Sequence, residues 1–122
     1  MRIVRWTAVF AVCFCAVLLW SATKATTTTV QGYVLDSACA FTKGLEKPIS
    51  SDCAAACAKA GSPLVILAKD GTVYWPIADS TPATGQNDRL LPYAGKQVSA
   101  SGKVYERNGS KAMVIEKLEA SK

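Results

Sequence analysis

Five short strand signals, a bend-permitting glycine in the first and fourth, and a long connection between the third and fourth predict a mainly β domain. The arrangement that fits is a five-stranded, OB-like Greek-key barrel with a short helical insertion between strands one and two, another small α+β fold being the alternative.

The first strand is Val30 to Leu35, whose β-branched and aromatic residues suit a pleated surface and whose Gly32 suggests a bend or bulge. Residues 36–50, with Gly44 and Pro48, read as loop. Ser51 is placed to cap a helix running to Ala60, where a run of alanines favours helix, Asp52 complements the positive end and Gly61 supplies a left-handed stop. Leu64 to Ala68 and Thr72 to Ile77 make a hairpin around Asp70-Gly71, with Pro76 ending it or marking an edge. Along its second arm Val73, Trp75 and Ile77 share a face that reads as core, leaving Tyr74 to point outward. Residues 78–95 are irregular, with one helical turn near Asp88 to Tyr93. From Lys96, Val98, Ala100, Gly102 and Val104 alternate with polar residues as a fourth strand, and Asn108-Gly109 turns the chain into a fifth, Lys111 to Leu118.

The N-terminus carries a second message. Arg2 and Arg5 precede an apolar, uncharged run from Trp6 to Trp20, and Thr23-Lys24-Ala25 places small residues at the −3 and −1 positions of a cleavage site. Residues 1–25 therefore read as an export signal, with an uncleaved membrane anchor as the alternative. Cys13 and Cys15 sit in the middle of the apolar run rather than at its end, which disfavours lipid attachment. Residues 26–29, all threonine, read as a linker and 30–119 as one domain. Loss of Arg2, Arg5 and Lys24 takes the fourteen basic residues to eleven, against nine acidic, a net of +2. That balance gives no basic stripe, so no nucleic-acid partner is expected. The chain has no histidine, which removes the usual neutral-pH general base and the commonest zinc ligand.

Two functional readings follow. In the first, the protein is an exported, non-enzymatic binding or interaction module of the cell envelope, secreted or periplasmic. Its expected partner is an envelope protein, a glycan or a small ligand, met by Tyr33, Tyr74 and Tyr105 as a stacking platform with Lys103 and Arg107 facing an anionic group. In the second, Cys39, Cys53 and Cys57 form a thiol-dependent metal or redox site taking copper or zinc. Met113 is either a further ligand or, by its place in a strand, core. Cys53 and Cys57 are four residues apart on one helix face, with Cβ atoms about 5–6 Å apart, farther than the roughly 3.8 Å a disulfide wants. Cys39 is thus expected to bridge one of them, Cys57 by burial, with Cys53 in the first helical turn left as the reactive thiol and the pairing with Cys53 left open. No serine has a histidine to activate it, and Asp36, Glu46 and Asp52 read as caps and loop residues, so no catalytic group is assigned.

Gly32-Tyr33-Val34-Leu35-Asp36-Ser37-Ala38-Cys39, then Cys53-x-x-x-Cys57 and Gly61, then Tyr93-Ala94-Gly95-Lys96-Gln97-Val98, resembles a family of small secreted bacterial OB-fold-like proteins of uncharacterised function. The resemblance covers most of residues 30–118 and implies the same barrel and the same exported setting. Members often carry a histidine after the first cysteine, where this chain has Phe41, Thr42 and Lys43.

Overall fold

The structure is a computed structural model that describes residues 24–43 and 50–122. The export signal expected over 1–25, apart from its last two residues, lies outside the described residues, as do Cys13, Cys15, Glu46 and Lys47.

The chain forms the expected closed barrel. Strand β1 (Thr26–Asp36) leads to the short helix α1 (Ser37–Thr42) and then to α2 (Ser51–Lys59). Strands β2 (Leu64–Ala68) and β3 (Val73–Pro76) form the first hairpin. Helix α3 (Asn87–Leu90) and a 3-10 turn (Leu91–Tyr93) precede the second hairpin, β4 (Gln97–Arg107) with β5 (Ser110–Ala120). The strand order is β1-β2-β3-β5-β4, closed by β1 against β4; all neighbours are antiparallel except β3 and β5.

Three local expectations are corrected. The threonines expected as a linker are the first third of β1, paired from Thr26 opposite Val104 to Thr29 opposite Ser101. Their β-branched side chains favour extended backbone, and the Thr29 and Ser101 hydroxyls are 2.8 Å apart across the pair. The loop expected over 36–50 begins with α1. Helix α2 is capped by Ser50, not Ser51. Gly61, at φ 103°, supplies the left-handed stop as expected, and Asn108 and Gly109 both take positive φ in the second hairpin turn.

Closure needs the chain to bend twice. A Cβ on Gly32 would run into the Leu67 carbonyl, and one on Gly102 into the Val114 carbonyl at the point where the β4–β5 register slips. Only glycine lets the backbones approach so closely at these corners.

The barrel interior is packed by Val34, Ile66, Val98, Ala100, Met113 and Ile115, and Leu90 of α3, fully buried, belongs to the same cluster. Met113 therefore serves as core. A second cluster forms on the opposite face of β1 and β2, where Leu35, Val65 and Leu67 pack under Ala40 of α1, with Tyr33, Val73 and Trp75 at its margin. This arrangement corrects the reading of β3. Val73 and Trp75 do share a face, but it is the outer one beneath α1, while Tyr74 packs toward the interior. Ile77, one residue past the strand, is exposed. Strand alternation fixes parity without fixing which face looks inward.

Truncating Leu90 to Ala should lower stability by about 2–5 kcal/mol, the range for an emptied core site. A loss of less than a quarter of that, from urea unfolding with unchanged slope, would show that α3 is not part of the core.

Candidate thiol site

Asp36 ends β1 and caps α1. Its Oδ2 accepts the Cys39 backbone N–H at 3.1 Å, so Cys39 is the third residue of the helix and its side chain lies back toward the cap. Ser50 does the same for α2, its Oγ accepting the Cys53 N–H at 3.2 Å. Both cysteines thus stand at equivalent positions on two separate helices, and Cys57 follows Cys53 by one turn.

Helix α2 is held by its small residues and by both ends. Ala54 and Ala58 are its buried face, and alanine allows close approach to the barrel. At the N-terminus Gly95, at φ 73°, donates to the Val34 carbonyl at 2.7 Å, and a Cβ there would stand 2.7 Å from the Ser51 backbone. At the C-terminus Ser62 N–H donates to the Cys57 carbonyl at 3.0 Å, and Asn87 Nδ2 donates to the Ser62 carbonyl at 2.8 Å while its Oδ1 accepts the Leu64 N–H at 2.8 Å. Asn87 was invisible in the sequence as a positioning residue, since nothing in 78–95 distinguishes it from turn chemistry.

The result is convergence. The sulfurs of Cys39, Cys53 and Cys57 all lie within 4.8 Å of one another, Cys39 buried, Cys57 half-buried and Cys53 exposed. All three are free thiols, so the expected Cys39–Cys57 bridge is not formed. Beside them Asp36 is fully buried. Its Oδ2 also receives the Ser62 hydroxyl at 3.4 Å, whereas Oδ1 has no partner at hydrogen-bond geometry.

This carboxylate dominates the local electrostatics. Accepting from the Cys39 thiol, and aided by burial, it holds that thiol's pKa up from 9.0 to about 12. Cys57 is also pushed up, first by burial and then by the negative field of Asp36. These two thiols are therefore kept protonated, poor spontaneous nucleophiles but able to lose protons to a bound cation.

The residues expected to form an aromatic platform are dispersed. Tyr33 borders the outer cluster and Tyr74 the inner one, where the Lys111 Nζ stands 5.9 Å from its ring centroid. Lys103 is engaged by Asp79 at 3.2 Å. Tyr105 and Arg107 do share a cleft of about 360 Å³, with Trp75, Lys111 and Glu106 as its other principal walls. Phe41, exposed on α1, stacks on Trp75 with ring centroids 6.2 Å apart. Among the described residues no helix is long and apolar enough to cross a membrane. Comparison with known family profiles, with curated proteins and with solved structures gives no match.

Two outcomes check this geometry. Because the folded state binds the Cys39 proton more tightly than the unfolded chain does, its contribution is fully present below pH 9 and is lost as pH rises toward about 12. Cys39→Ala should flatten the alkaline limb of a stability profile; an unchanged limb would remove Asp36 from contact with that thiol. Gly95→Ala, strained by both φ and the Ser51 contact, should cost roughly 1–3 kcal/mol. It should also displace α2, read as altered alkylation rates at Cys53 and Cys57, and wild-type rates would show that Gly95 does not seat the helix.

Proposed function

We propose that this chain is an exported thiol-based metal-binding protein of the cell envelope, holding a thiophilic cation of the zinc or copper class through Cys39, Cys53 and Cys57. The observation that carries the reading is the convergence of three sulfurs from two helices to within 4.8 Å of one another. Thiolate is the ligand that zinc and Cu(I) favour, and with Zn–S near 2.3 Å three ligating sulfurs sit about 3.7–3.9 Å apart, a closure of roughly 1 Å at most that side-chain rotation can supply. The two capped helix starts support the same reading, because they hold Cys39 and Cys53 at defined positions before any cation arrives. Export is supported by the N-terminal sequence and by the resemblance of the cysteine segment to small secreted bacterial proteins.

Cation binding displaces the thiol protons, so affinity rises with pH. Nothing in the arrangement provides an acid–base pair for turnover, and the proposed role is binding, delivery or buffering of the metal. A redox role for the three thiols is the second reading, favoured by the same proximity; its sign is a disulfide in the isolated protein.

The deciding experiment is titration of the reduced protein with Co(II), Zn(II) and Cu(I). The expected result is one equivalent bound, thiolate-to-cobalt charge transfer, and protection of all three thiols from alkylation. Cys53→Ser should weaken binding at least tenfold and Tyr105→Ala should leave it unchanged. A stable disulfide with one free thiol in protein isolated without reductant, and no cation taken up after reduction, would overturn the reading.

A further inference from the structure

The thiol cluster leaves one chemical feature unused. Asp36 is fully buried, yet its Oδ1 meets no donor at hydrogen-bond geometry, and the Cys39 thiol beside the carboxylate is a weak donor. A buried carboxylate oxygen in that condition costs free energy unless something positive reaches it. The side chain is fixed from the other side, since Oδ2 is held by the Cys39 N–H at 3.1 Å and the Ser62 hydroxyl at 3.4 Å. Its place as cap, with Oδ2 3.1 Å from the Cys39 nitrogen, sets the carboxylate at the Cys39 end of the cluster; the group mutually within 4.8 Å is the three sulfurs alone, so their closure about a cation has to draw them toward Asp36.

We infer that Asp36 belongs to the metal site, its Oδ1 supplying a fourth, oxygen donor to the three cysteine sulfurs, and that the cation is therefore divalent and tetrahedral. This inference rests on the thiol site proposed above and adds its ligand set and its selectivity. Three thiolates and one carboxylate around a divalent cation carry a net charge of about −2, the same as a four-cysteine zinc site. A monovalent Cu(I) in the same set leaves about one further negative charge at a partly buried site, a penalty that low dielectric magnifies.

The test compares the reduced protein with Asp36→Asn, whose amide oxygen still accepts the Cys39 N–H but is a weak metal ligand. Aspartate labelled with ¹³C at its side-chain carboxyl permits an infrared difference spectrum on adding Zn(II). The expected result is a carboxylate band that moves in the wild type and not in Asp36→Asn, with Zn(II) affinity of the variant reduced about 10–100-fold and Cu(I) affinity nearly unchanged. A wild-type protein that shows thiolate-to-cobalt charge transfer but no carboxylate shift, or a variant that binds Zn(II) as tightly, would overturn the inference and leave the three-thiol site standing. Absence of charge transfer in the wild type would overturn both. If Asp36→Asn does not fold, as judged by far-ultraviolet circular dichroism, the labelled spectrum of Asp52→Asn decides: a band that still moves supports Asp36, and one that no longer moves overturns the inference.

Discussion

The side chain of Asp36 is the constraint on which the site depends. It ends a strand, starts a helix through the Cys39 N–H and takes a hydroxyl from Ser62, just past the second helix. The neighbouring backbone adds to this knot, with Ser37 N–H donating to the Pro63 carbonyl at 2.8 Å. Two segments 26 residues apart in sequence thus meet at one buried carboxylate. Burying such a group without full pairing is unfavourable in isolation.

The barrel supplies the rigidity that makes this useful. Strand β1 is paired along both sides, with β2 over residues 32–36 and with β4 over residues 26–33, so its end cannot drift. Asp36 inherits that fixed position. Helix α2 is less firmly built into the sheet and relies on the close approach at Gly95 and the amide of Asn87. The thiols therefore come from two supports of unequal stiffness, Cys39 from the strand end and Cys53 and Cys57 from a helix laid across the barrel.

Much of the fold was legible in the residues. Alternation from Val98 to Val104, the Asp70-Gly71 and Asn108-Gly109 turns and the alanine helix each have a local physical cause, and each is found where expected. What failed were choices that only tertiary context makes. Four threonines in a row have strand propensity, but nothing local says that residues 101–104 wait to pair with them. Trp75 and Val73 were correctly placed together on one face, yet α1, which covers that face, was itself hidden in a segment read as loop. The site was partly legible. The three cysteines stand out in one stretch, but the separation of Cys53 from Cys57 does not say where Cys39 meets them. The signal that went unused is the repeated spacing of a capping residue and a cysteine three positions later, Asp36 with Cys39 and Ser50 with Cys53. Likewise Tyr33 and Tyr74 look alike as aromatic strand residues but border different clusters, the outer and the inner.

The stack of Phe41 on Trp75 has an optical consequence. Phe41 stands two residues from Cys39 on the same short helix, and Trp75 lies on β3, which α1 overlies. The chain's other tryptophans, Trp6 and Trp20, fall within the expected export signal, so Trp75 would be the sole indole of a chain that had lost it. Any tilt of α1 that accompanies closure of the sulfurs changes the ring overlap and the solvent around that indole. Trp75 emission would thereby respond to a movement of the helix that carries Cys39.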